Sequence, residues 1–186
     1  MKLYFHVDRA NGLKAGDIVQ REPYRGESVI PALMPFANAD YLRHLDKISR
    51  EGLSLHGAHY LIKPGQGAVV SLVDCMLELQ FEYVRHIYHK NKPSRLQSMF
   101  AFNEYERAAW FKSEKGGTGT IFEIEFSGLC LVADMNWLKV ETNPDTQKHY
   151  AMSYWDGKPF SIDKHYDPKW ECVIDLPVTI KREIIE

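Results

Sequence analysis

Apolar residues change their spacing twice along this chain, and that change limits the folds open to it. Near the N-terminus, Lys2–Val7 alternates with a period close to two, the pattern of a half-buried strand. From Ala68 to His89 the positions Val69, Leu72, Val73, Met76, Leu79, Val84 and Ile87 fall roughly on one helical face. Glu82 and Arg85 are expected at the edge of that face, and Pro93 ends the helix. Strand character returns in Thr120–Phe126 and continues in Leu129–Val132 after the Ser127–Gly128 turn. Trp170–Ile184 reads as a last strand pair, divided near Pro177. Strands at both ends around helices in the middle predict an α+β domain rather than alternating βα units.

Shorter signals fill the gaps. Ala39–Gly52 reads as a helix, with Asn38 or Asp40 as its cap and Gly52 as its stop. Ser94–Phe102 reads as a short strand with flanks. Asn103–Lys115 reads as a second helix, capped by Asn103 with Glu106 three residues on, and closed by Gly116–Gly119. Arg21–Pro35 carries Pro23, Gly26, Pro31 and Pro35 and reads as irregular loop, whereas Leu53–Leu61 fits neither period. Asn143–Lys164 is polar and rich in turn residues.

Bulk properties remove several classes of protein. At 186 residues the chain is one domain, and 45% hydrophobic against 26% charged residues is an ordinary globular balance. A net charge of −2 excludes a strongly basic nucleic-acid footprint over the whole surface. Cys75, Cys130 and Cys172 are odd in number and irregular in spacing, which argues against a disulfide framework; their apolar settings predict buried thiols. No apolar run approaches the roughly 18 residues of a membrane helix. The opening residues Met1–His6 are too short and polar for a signal peptide, so a soluble, cytoplasmic protein with no membrane partner is expected.

Familiar catalytic motifs are few. His56/His59 and His86/His89 have i,i+3 spacing, but neither a Cys-x-x-Cys nor a His-Glu-x-x-His motif accompanies them, so no metal centre is expected. Gly116–Gly119 follows a helix and precedes a strand, the reverse of a phosphate loop. There is no Gly-x-Ser-x-Gly elbow. Glu123 and Glu125 share a strand face that reads as solvated.

Three segments are more suggestive. In the first, His6 ends a strand and Leu13–Asp17 follows with a Gly-Asp step. The second runs from Pro93 to Phe102 and into Ala108-Ala109-Trp110, with hydroxyls and aromatics on a strand and Arg95 offering a fork suited to phosphate. In the third, Glu171 opens an otherwise apolar strand, a costly place for a carboxylate without a partner or a cleft.

In this order the three segments resemble the ADP-ribosyltransferase superfamily and are most similar to its rifampin ADP-ribosyltransferase type. Ile121–Gly128 and the acidic loop Asp134–Trp137 extend the likeness. The resemblance implies a split β-sandwich with helices packed on the sheets and NAD held in the cleft between them. The likeness is read over a single domain of residues 1–186; Arg21–Lys92 is far longer here, is not covered by it, and is expected to be a helical insertion or lid. The resemblance also implies an NAD-dependent transfer of ADP-ribose, with release of nicotinamide, to an acceptor that is a protein, a nucleic acid or a small molecule. Glu171 would be the catalytic carboxylate, stabilising positive charge on the ribose carbon, with Asp134 as its substitute. His6 would hydrogen-bond the adenosine ribose, Ser98 would support the glutamate or the other ribose, and Arg9 or Arg95 would face the pyrophosphate. Met99 falls near the position where the His-Tyr-Glu subgroup has its tyrosine, so Phe100, Phe102 or Tyr105 would stack on the nicotinamide instead. That departure motivates the alternative of a non-catalytic nucleotide- or partner-binding module on the same fold. A metal-dependent enzyme using His56, His59, His86 and His89 is the third class.

Overall fold

Residues 3–24, 38–62 and 72–185 are described by the structure, a computed structural model. Strands β1 (Tyr4–Asp8), β2 (Ile18–Val19), β4 (Thr120–Phe126) and β7 (Val178–Glu183) form an antiparallel sheet in the order β1-β4-β7-β2. Strands β3 (Ser98–Ala101), β5 (Cys130–Asp134) and β6 (Trp170–Asp175) form a second antiparallel sheet with β6 in the middle. Among the described residues the sheets meet at a backbone bridge, where Phe5 and Phe102 each donate an N–H to the other's carbonyl at 2.8 Å.

Strand alternation divides the three-stranded sheet into two working faces. Met99, Ala101, Cys172 and Ile174 point toward Phe122, Ile124, Val178 and Ile180 of the other sheet and build the core between them. Leu131, Ala133 and Val173 point the opposite way. They are covered by Phe81 and Val84 of α3 (Leu72–Tyr88) and by Ala151, Tyr154 and Trp155 of α5 (Pro144–Trp155). Burying each such large side chain contributes about 1.5–3 kcal/mol. A third cluster joins Tyr41, Leu45 and Ile48 of α1 (Ala39–Glu51) to Leu61 of α2 (Leu55–Leu61), Leu79 and Leu96. Ala108 of α4 (Tyr105–Phe111) packs on Val7, Phe102 and Ile121.

The α1 boundaries follow the expected chemistry: the Asn38 side chain accepts from the Tyr41 N–H at 2.8 Å, and Gly52 stops the helix at φ 116°. Helix α4 is shorter than Asn103–Lys115. The bridge to Phe5 keeps the chain extended through Phe102, Glu104 takes the cap position without a side-chain bond, and Lys112–Gly116 winds into a wider π turn. Helix α5 falls inside the stretch expected to be turns. Asn143 caps it through bonds from the Asp145 and Thr146 amides, and Pro144 opens it.

Three further expectations are corrected. Glu82 and Arg85 are not at the edge of α3 but buried, at 1% and 7% exposure, because they neutralise each other inside the molecule. Cys75 and Cys172 are buried as expected, but Cys130 is exposed because it opens the edge strand β5. Glu123 is buried, not solvated, and pairs with Arg182 at 2.8 Å. Within the expected insertion 21–92, helices α1, α2 and α3 share the third core cluster; residues 25–37 and 63–71 lie outside the described residues. Among the described residues no helix is long and apolar enough to cross a membrane.

Candidate functional site

Arg95 and Glu171 sit together in a buried polar cluster. The turn Arg95–Gln97, capped by Ser94, leads into β3 and delivers the Arg95 guanidinium beneath the sheet face that carries Glu171. There it binds Glu78 of α3 at both ends, Nε to Oε2 at 2.9 Å and Nη2 to Oε1 at 2.8 Å. Its Nη1 reaches Glu171 Oε1 at 2.6 Å and the Tyr154 hydroxyl. Tyr154 in turn donates to Glu171 Oε1 at 2.7 Å. Phe100 lies over the guanidinium, 4.6 Å from ring centroid to Cζ. His56 Nε2 of α2 approaches Glu78 Oε1 at 3.2 Å without forming a hydrogen bond to it.

Such a cluster is stable only when each charge has its counterpart. Burial works against the charge on Glu78, but Arg95 and then His56 hold its carboxyl well below the usual range. Burial likewise opposes the charge on Arg95, yet Glu78, Tyr154 and Glu171 hold its proton more tightly than usual. Burial pushes the Tyr154 phenol well above its ordinary value, so it remains a hydrogen-bond donor.

One turn further along α3, Glu82 anchors a second buried group. It takes two bonds from Arg85, at 2.9 and 2.7 Å, and one each from Ser94 and His44 at 2.8 Å. Ser94 and Arg95 are neighbours in sequence, so the start of the strand turn is fastened to both glutamates.

His6 lies at the junction of the two sheets. Its register partner is Phe122, which places it on the intersheet face, and its Nδ1 lies 2.7 Å from the Phe100 carbonyl. A carbonyl only accepts, so the proton sits on Nδ1 and Nε2 is left as an acceptor. Burial holds the ring below the ordinary histidine value and therefore neutral near pH 7.

The other expected site residues are distributed more widely. Arg9 follows β1 in an exposed turn, within electrostatic reach of His6, His59 and Tyr60. Ser98 is buried and donates to the Ser94 carbonyl at 2.6 Å, a bond internal to its own turn. Phe102 and Tyr105 belong to the α4 side of the junction, with Tyr105 edge-on to Phe5 at 5.9 Å. Of the three expected stacking rings, Phe100 alone touches the Arg95 cluster. Arg95, expected to face phosphate, has its guanidinium bound by two carboxylates and a phenol.

Asp134 is set apart from Glu171. Glu171 pairs with Ala133, so the two carboxylates leave opposite faces of the sheet. Asp134 is fully buried and accepts from the Asn136, Phe160 and Lys169 amides, the Asn136 side chain and Tyr166. Burial opposes its charge, but the bonds from Tyr166 and these amides hold its carboxyl below the ordinary value. Its evident work is to fasten the 157–169 connection. His6 and Glu171 make no direct contact; the link between them runs from the Phe100 carbonyl through the Phe100 ring and Arg95.

His56 and His59 are separated from His86 and His89: the first pair flanks Tyr60, whereas His86 stacks on His44 at 3.9 Å and His89 faces Asp156. Among the described residues no group of three or more His, Cys, Asp or Glu side chains is arranged to hold a metal ion. Sequence reading missed Glu78 and Tyr154. A signal for the first was present: Cys75, Glu78, Glu82 and Arg85 recur at spacings of three and four on the buried side of α3.

Together these features define a two-sheet α+β domain whose helical layer is tied to its smaller sheet by buried ion pairs. Residues 4–186 match the family described as a protein of unknown function (DUF2441), and the chain belongs to that family. A search of curated proteins finds no match.

Proposed function

We propose that this domain is an NAD-dependent ADP-ribosyltransferase that moves ADP-ribose to an acceptor and releases nicotinamide. The observation that carries this reading is His6. It stands where two antiparallel sheets meet at the Phe5–Phe102 bridge, neutral, with Nδ1 committed to a carbonyl, which makes Nε2 the nitrogen that would accept from a ribose hydroxyl. Arg9, just beyond β1, is the cation suited to the pyrophosphate, since Arg95 already serves two carboxylates. Glu171 supplies the carboxylate that stabilises positive charge on the ribose carbon, held by Arg95 and Tyr154 through one oxygen. Asp134 is the substitute in this role.

The test is incubation with labelled NAD and a cell lysate, wild type beside His6→Ala, Glu171→Gln and Asp134→Asn. Label transfer or nicotinamide release that Glu171→Gln abolishes in a folded protein supports the assignment. Absence of both in wild type, or full activity in both carboxylate variants, rejects it.

A second reading, a non-catalytic nucleotide- or partner-binding module on the same fold, draws on a different observation. Glu171 is enclosed by Arg95 and Tyr154 on the helix-facing side of β6, away from His6. NAD-induced thermal stabilisation without nicotinamide release would favour it.

A further inference from the structure

We infer that His56 is the base that takes the acceptor's proton during transfer, an assignment that rests on the transferase reading. His56 occupies the first turn of α2 and is one-fifth exposed at its side chain. Its Nε2 is buried against Glu78 Oε1 at 3.2 Å, so Nδ1 is the ring nitrogen assigned to the reactant. The ring lies 4.7 Å from Phe100 and 4.7 Å from Tyr60, so its orientation is fixed on three sides. Phe100 is the residue whose carbonyl holds His6, and its ring covers the guanidinium that holds Glu171. The imidazole therefore belongs to the same assembly as both proposed NAD contacts.

Glu78 Oε1 faces Nε2 at 3.2 Å, so the carboxylate orients the ring and stabilises the imidazolium that forms when Nδ1 takes the acceptor's proton.

The step balances as follows. The bond between the ribose C1′ and the nicotinamide nitrogen breaks, and its electron pair leaves with neutral nicotinamide. The acceptor atom, carried as X–H, forms a new bond to C1′ while its proton moves to His56. Solvent then takes that proton, so each turnover releases one.

The experiment uses the full chain with NAD and water as acceptor, following nicotinamide release, and repeats it with labelled NAD in a cell lysate. His56→Gln is expected to lower kcat about a hundredfold, to leave KM for NAD within about twofold, and to erase the acidic limb of the pH–rate profile. Added imidazole is expected to restore part of the rate of His56→Ala. A His56→Gln protein with the wild-type rate and profile overturns the base assignment while the transferase reading stands. So does a rate loss that tracks a lowered melting temperature and resists imidazole. A wild-type protein that neither releases nicotinamide nor transfers label removes the transferase reading, and the base with it.

Discussion

Arg95 and Glu78 face each other as a two-pronged ion pair, 2.9 and 2.8 Å, with both side chains more than nine-tenths buried. The arginine comes from the turn before β3 and the glutamate from the middle of α3, so the pair fastens the helical layer to the smaller sheet. Arg95→Met would leave Glu78 and Glu171 without their shared cation. The expected cost is about 3–5 kcal/mol of folding stability, measured by urea denaturation. The sequence alone suggests that removing Arg95 weakens NAD binding more than the fold; the buried pair predicts the opposite order. Wild-type stability in Arg95→Met would contradict it.

Acid should weaken the fold in two stages. His6, His59, His86 and His89 all sit below the ordinary histidine value, mainly through burial. As pH falls through about 6.5 the unfolded chain takes up protons that the folded chain resists, so stability declines. Glu78 and Glu82 act lower. Despite burial, Arg95 holds Glu78 down, and bonds from His44 and Arg85 hold Glu82 down. Their contribution is complete above the unfolded glutamate value of about 4.3 and is lost as pH falls below it. Urea midpoints at pH 7.5, 5.5 and 3.5 should fall in that order. A flat response between the first two would show that the histidines are not held neutral by the fold.

Asp134→Asn should loosen the 157–169 connection. The amide nitrogen it introduces cannot accept from both Tyr166 and the Phe160 N–H, which now share Oδ2. Leaving one such buried donor unpaired costs about 1–3 kcal/mol. Limited proteolysis should cut this connection faster in the variant, with the melting temperature lowered. Lost NAD turnover at an unchanged melting temperature would instead mark Asp134 as the catalytic carboxylate.

Gly57→Ala tests the seat of His56. A Cβ at this position would lie 2.0 Å from the Leu96 carbonyl oxygen, which also accepts from Ser54 at 3.0 Å. Alanine improves helix propensity by up to about 1 kcal/mol, but a backbone clash of this kind costs about 1–3 kcal/mol or more. Net destabilisation is expected in thermal melts; a stabilised variant would mean that α2 does not dock this closely. The glycine also explains the His-Gly-Ala-His spacing as a packing device.

How much of this was legible depended on whether the partners were local. Strand β4 was readable to its end residues, and α1 down to its Asn38 cap, because alternation and capping are written in neighbouring residues. Helix α5 was obscured because its buried positions include Gln147 and Ser153 beside Ala151, Tyr154 and Trp155, which blurs the apolar period. Asn143-Pro144 was the usable signal. Glu171 stood out near the start of an apolar strand, and His6 stood out as a polar residue in one, although β1 runs past it to Asp8 rather than ending there. Their partners did not, since Phe100 is 94 positions from His6, and Arg95 is 76 from Glu171. No spacing rule reaches that far.

Strands β6 and β7 are joined by only two residues, yet β6 is the middle strand of one sheet and β7 an inner strand of the other. Neither sheet can close before residues 170–183 emerge from the ribosome, so earlier segments must wait with their apolar faces uncovered. Newly made chains are thus committed to assembling late and all at once, and a stop codon shortly before Trp170 would abolish both layers rather than trim one.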